Sequence, residues 1–143
     1  MNIAELATDL YTNLLFIIKK VSQKNNISSS QLLCLYAIPS DGILQSDLAK
    51  ILCLDLSTLS RNLDKLIIHN LVHKKTSPSD YRKQNIFLTQ SGESLYLTIL
   101  SDLNAYFQQL DGWNNQNIQD LDILLANLTD FNWLLHKHRY KNV

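Results

Sequence analysis

Arg61, Lys65, Lys74, Lys75, Arg82 and Lys83 lie within positions 61–83, a segment that holds only two acids, Asp64 and Asp80. The formal charge of the whole chain is zero, so a segment with four surplus positive charges sits on a remainder with four negative ones. That asymmetry suits a local anionic partner, although charge alone describes a solvated face equally well. The residue types narrow the choice. An arginine can grip O6 and N7 of guanine together, and a lysine meets phosphate as a point charge. At about 100° per residue, a helix from Asp55 to His69 puts Ser57, Thr58, Arg61, Asp64, Lys65 and Ile68 on one side. Leu56, Leu59, Leu63, Leu66 and Ile67 fall opposite. Short hydroxyl residues near the start of such a helix let its backbone approach DNA, and the helix N-terminus itself attracts phosphate.

After Asn70 the pattern changes. Leu71 to Lys75 and Asn85 to Leu88 have the composition of two short strands, and Thr76 to Gln84 between them is rich in Ser, Pro, Asp and basic residues. This predicts a β-hairpin with a basic tip. Arg82 and Lys83 on the tip suit a minor groove, where the potential is most negative. Asp80 weakens that field, so its expected role is to brace the direction of Arg82 through a charge-assisted hydrogen bond. Lys74 and Lys75, on the first strand, are expected to meet phosphates.

These residues need a scaffold, and the rest of the chain supplies helices. It has 143 residues, 45% apolar and 18% charged, with 28 Leu against 3 Val, 3 Gly and 2 Pro. That is one domain of ordinary size with a helical bias and enough apolar residues for a core. Apolar positions from Ile3 to Val21 recur at helical spacing over Met1 to Lys24. Ser28 and Gln31 form a capping box for a second helix that ends before Pro39. A short helix is expected from Gln45 to Leu52, with Leu44 a poor cap. Asp55 then caps the Asp55-to-His69 helix and Asn70 ends it in a left-handed turn. Two helices joined by Cys53-Leu54-Asp55 have the spacing of a helix-turn-helix. Thr89 caps a fifth helix, Asp111-Gly112 breaks it, and Asn114 caps a last one. The fold class is mainly α: a single domain of 1–143 with a winged helix-turn-helix at 28–89. The long amphipathic helices at 1–24 and 90–140 need an apolar partner surface, most simply a second copy.

The order and spacing of the central pieces resemble the multiple-antibiotic-resistance regulator (MarR) family of bacterial winged-helix repressors. The pieces are Asp47-Leu48-Ala49, then Ser57-Thr58-Leu59-Ser60-Arg61 with Asp64-Lys65-Leu66, Asn70-Leu71-Val72, Asp80-Tyr81-Arg82, and Leu88-Thr89-Gln90-Ser91-Gly92. Asn70 stands where the family has Gly, Tyr81 where it often has a basic residue, and Leu44 where it has a Ser/Thr cap. The resemblance implies a homodimer on a pseudo-palindromic double-stranded DNA operator, with the Asp55-to-His69 helix in the major groove and the wing in the minor groove. It places Arg61 and Arg82 at the two DNA-contacting arginine positions. With them, the expected contacts are Ser57, Thr58, Ser60, Lys65, Lys74, Lys75, Asp80 and Lys83. It also implies release by a small aromatic or anionic effector in a crevice between the dimer helices and the reading unit. A winged-helix protein–protein module that has lost DNA binding remains the alternative.

Other chemistry is absent from the pattern. No phosphate loop, nucleophile triad or acid pair is present, so no enzyme and no cofactor is expected. His69 and His73 straddle a helix end, and His136 and His138 sit in a basic helix end, so no metal site is expected. Cys34 lies among leucines and should be core. Cys53, in the helix-turn-helix turn, could disturb the unit if oxidised, but Asp55 is nearby and no Lys or Arg is close in sequence. No apolar run approaches a membrane span, and Met1 to Asp9 has no basic residue, so no signal peptide is expected and the expected location is cytoplasmic.

Overall fold

The computed structural model describes residues 2–110 and 118–141. In order, the described elements are α1 (Ile3–Lys24), α2 (Ser29–Ala37), β1 (Ile43–Leu44), α3 (Gln45–Leu52), α4 (Leu56–Ile68), β2 (Val72–Thr76), β3 (Gln84–Leu88), α5 (Gln90–Gln108) and α6 (Ile118–Lys141). Asp111-Gly112 and Asn114, expected to break and restart the chain, lie outside the described residues. The chain divides into two compact units, up to Tyr106 and from Phe107 onward. No described helix is long and apolar enough to cross a membrane.

The helix ends follow local chemistry. Asn2 and Glu5 form a capping box on α1, and Ser28 with Gln31 forms the expected one on α2. Three helices end through a left-handed residue that is not glycine: Asn26, Cys53 and Asn70, with φ of 56°, 53° and 56°. At Asn70 the amide of Leu71 returns to the Leu66 carbonyl at 2.9 Å and that of Asn70 to Ile67 at 2.9 Å. These paired bonds close α4 and turn the chain into the hairpin.

The first unit is built around Leu32, Leu35, Leu48, Leu59, Leu63, Leu66, Ile86 and Ile99, all fully buried. Each such side chain contributes about 1.5–3 kcal/mol through removal from water. Cys34 is buried with them, and burial pushes its thiol up to about 11, so it stays a neutral core side chain at ordinary pH. The apolar side of α4 is narrower than its sequence pattern: Leu59, Leu63 and Leu66 are buried, but Leu56 is 56% exposed and Ile67 is also exposed. Leu56 is the first residue of the helix and has no preceding turn beneath it to pack upon.

The sheet is antiparallel in the order β1-β3-β2. The β2–β3 hairpin is the expected one, shifted by a residue at its ends. β1 has only two residues and pairs Ile43 with Ile86 and Leu44 with Asn85. Leu44 gives α3 no side-chain cap, and its place in the sheet fixes the start of that helix instead. The chain enters β1 through Gly42, at φ +83°, whose backbone packs so closely on Phe87 that a Cβ there would lie 2.3 Å from the ring.

In the second unit, α6 stacks Trp133 on His136 with ring centroids 5.6 Å apart, and the His136 and Tyr140 rings meet tilted at 4.6 Å. Its last turn is basic. The apolar side chains of both α1 and α6 are largely exposed, among them Ile3, Leu6, Phe16, Leu128 and Leu135.

Candidate nucleic-acid interface

The first turn of α4 is organised by Asp55. Its Oδ1 accepts from Ser57 Oγ at 2.5 Å and from the Thr58 amide at 2.7 Å, and its Oδ2 accepts from Thr58 Oγ1 at 2.8 Å. These bonds, Ser57 first, hold the carboxyl well below the usual carboxylate range. The helix end expected to attract phosphate therefore already carries its own anion.

Two side-chain bonds pin the flanks of α4. Gln45 Nε2 donates to Ser60 Oγ at 2.8 Å, and Asn62 Nδ2 donates to Ser30 Oγ at 2.7 Å. The first ties α4 to the start of α3 and the second ties it to α2. Arg61 and Lys65 are exposed on the remaining face.

In the wing, Lys74 is only 26% exposed at its side chain, and its Nζ lies 3.5 Å from Asp64 Oδ1 on α4. Lys75 is exposed, with Nζ 5.3 Å from the centroid of the Phe87 ring. The two lysines expected to act alike thus sit in different surroundings. The tip is a tight loop in which the Ser77 amide bonds the Lys83 carbonyl at 2.8 Å and the Lys83 amide bonds the Asp80 carbonyl at 2.9 Å. Asp80 Oδ1 accepts from the backbone amide of Arg82 at 3.0 Å. This bond fixes the chain at Arg82, not the guanidinium whose direction Asp80 was expected to brace.

Arg82 and Lys83 come together with α4. A cavity of about 380 Å³ is lined by Leu44, Gln45 and Ser46 at the start of α3, by Leu56 and Ser60 of α4, and by Arg82, Lys83 and Gln84 of the wing. The helix-turn-helix and the loop end of the wing therefore share one crevice with two cations on its wall. A second cavity, about 420 Å³, lies between the end of α2 and α5 and includes Tyr36, Pro39, Leu88, Glu93, Tyr96 and Leu97. Tyr36 and Tyr96 have ring centroids 6.2 Å apart, and among the described residues no basic one lines this space.

Sequence pattern did not single out Gln45, Asn62 or the bonds from Asp55 to Ser57 and Thr58. The Asp55 cap was legible, and a hydroxyl two or three residues after an Asp cap was the available signal for the bonds it makes. Gln45–Ser60 and Asn62–Ser30 join separate elements and leave no local trace.

Residues 27–83 match the MarR family model. No curated protein sequence matches the chain. Among solved structures, wild-type MarR from E. coli in its apo form superposes with a TM-score of 0.80 at 20% identity, over 92% of this chain and 96% of that one. MepR of S. aureus in a DNA-binding conformation gives a TM-score of 0.72 at 25% identity, over 94% and 99%. A MepR variant bound to an oligodeoxyribonucleotide gives 0.62, also at 25% identity and over 94% and 99%.

Proposed function

We propose that this chain, which belongs to the MarR family through residues 27–83 and has that family's winged-helix fold, is a homodimeric repressor that binds a pseudo-palindromic operator sequence-specifically. The observation that carries the reading is the shared crevice of α3, α4 and the wing, in which Arg82 and Lys83 stand beside the start of the exposed α4 face. One rigid unit then offers a helix for a major groove and a cationic loop for the neighbouring minor groove. The MepR variant that carries an oligodeoxyribonucleotide supports the same use of the fold. Arg61 is assigned to a base edge and Arg82 to the minor groove. Ser57, Thr58, Ser60, Lys65, Lys74, Lys75, Asp80 and Lys83 supply the surrounding contacts and their geometry.

The exposed apolar face of α1 supports a second copy as partner, since a single chain leaves Leu6, Leu10 and Phe16 in water. The cavity beside Tyr36 and Tyr96 supports release by an aromatic effector. Glu93 on its wall, with no basic residue beside it among the described residues, favours a neutral or cationic ligand over an anion. The reading involves no catalysis.

The test is mobility shift with the DNA upstream of the gene, against random duplex, at stated salt. Arg61→Ala should weaken operator binding by about 1–3 kcal/mol and random binding by less. Absence of any retarded complex for the wild-type dimer would favour a protein-interaction module instead. A 16.4 kDa species in sedimentation at micromolar concentration would end the dimer reading.

A further inference from the structure

We infer that the side chains of the first turn of α4 form an acceptor-only reading surface, which selects bases that present an exocyclic amino group, cytosine N4 or adenine N6, in the major groove. The inference rests on the reading of α4 as the DNA-contacting helix and specifies what its first turn recognises. Serine and threonine side chains are ordinarily permissive, since each hydroxyl can donate one hydrogen bond and accept others. Here both protons are spent. Ser57 Oγ donates to Asp55 Oδ1 at 2.5 Å and Thr58 Oγ1 donates to Asp55 Oδ2 at 2.8 Å. A bond to an ionised carboxylate is roughly twice as strong as one between neutral groups, so a base acceptor competes poorly for those protons.

What remains on these three side chains is lone pairs. Asp55 and Ser57 are exposed and Thr58 is half-buried. The Thr58 amide, which could otherwise have faced an anion, is also taken by Asp55 at 2.7 Å. Phosphate oxygens, guanine O6 and N7, and thymine O4 are all acceptors and find no side-chain donor in this cluster. The amino groups of cytosine and adenine are the major-groove donors that match it. Arg61, one turn further along the same helix, is donor-only and suits guanine. The exposed face of α4 thus divides into an accepting first turn and a donating second one. Asp55 acts here as a positioning residue, because it sets which way two other side chains can bond.

The test begins with selection of duplexes from a random library by the wild-type dimer. Each selected adenine or cytosine is then replaced by its analogue lacking the exocyclic amino group. The series is titrated with wild type, Ser57→Ala, Thr58→Val and Asp55→Asn. Ser57→Ala leaves the Asp55–Thr58 cap in place, so folding is not at issue. At one or two positions per half-site, loss of the amino group should weaken wild-type binding about tenfold. At those positions the same loss should cost Ser57→Ala or Thr58→Val less than about twofold. Asp55→Asn should also relax the choice there towards guanine or thymine, because its amide adds a donor and one hydroxyl proton is freed. Equal amino-group effects in wild type and all variants, or a wild-type requirement for guanine at the positions relaxed by Ser57→Ala, would overturn the inference and leave DNA binding intact. Failure to enrich any duplex would overturn the DNA reading itself, and the inference with it.

Discussion

Gly92 lies against the backbone of Leu71: a Cβ added to it would stand 1.9 Å from the Leu71 carbonyl oxygen. That oxygen also receives the Thr89 amide at 3.0 Å, while Thr89 Oγ1 donates to the Asn70 carbonyl at 2.6 Å and accepts from the Gly92 amide at 3.0 Å. The start of α5 is thereby latched to the turn that closes α4. Backbone cannot swing aside as a side chain can. Gly92→Ala is therefore expected to destabilise the fold by about 1–3 kcal/mol or more, measured as a lower urea midpoint with an unchanged slope.

Asp64 holds Lys74 at 3.5 Å and keeps one of the wing's cations facing the protein. Asp64→Asn should release it. Binding to random duplex is expected to tighten, and the slope of log K against log salt should steepen by about one phosphate contact. Lys74→Ala, which removes a charge already neutralised, should change that slope less than Lys75→Ala does. A larger effect at Lys74 than at Lys75 would contradict the pairing.

At the wing tip the Asp80 carboxylate accepts from the Arg82 amide, a role that an Asn carbonyl oxygen also fills. Asp80→Asn should keep the loop and remove a negative charge beside the DNA. Operator binding is expected to hold or tighten severalfold. Asp80→Ala should weaken it, because the loop loses the bond that shapes it. Weakened binding by Asp80→Asn would indicate that the carboxylate acts on the guanidinium in the complex.

Asp102 on α5 accepts from Lys24 Nζ at 2.5 Å and from Asn25 Nδ2 at 2.9 Å. These bonds, that of Lys24 first, hold its carboxyl below the usual range. A depressed native pKa adds stability above the unfolded value of about 3.9, and that stability fades as pH falls through the native one. The stability gap between wild type and Asp102→Asn should therefore be constant above about pH 5 and close as acid is added. A gap that widens in acid would reverse the assignment.

The parts of the fold legible in the sequence are those set by neighbours along the chain. Ser28 with Gln31, Asp55 and Asn70 each act within a few positions, and each marks a helix end where its chemistry requires one. The two-residue β1 carries no periodicity and exists only because β3 offers Ile86 and Asn85 to pair with. Ser57, Thr58, Arg61 and Lys65 were recognisable as an outer face, because burial alternates with the turn of the helix. What each polar group does there depends on a partner. Ser60 is engaged by Gln45 and Lys74 by Asp64, fifteen and ten positions away in sequence, and no helical wheel contains that information.

The strand order β1-β3-β2 leaves β2 as the longer of the sheet's two edges. An open edge of this kind offers unpaired amides to any extended chain, and is a template for aggregation. Here it is short and carries Lys74 and Lys75 side by side. A strand docking onto it would have to bury or displace two ammonium groups, which natural sheets use as a guard against such pairing. The two lysines thus protect the protein in solution, whatever they contact in a complex. Replacing both by valine would raise the strand propensity of β2 while removing that guard. The expected result is a protein that folds and then self-associates through the wing, seen as concentration-dependent light scattering that Lys75 alone, restored, largely suppresses.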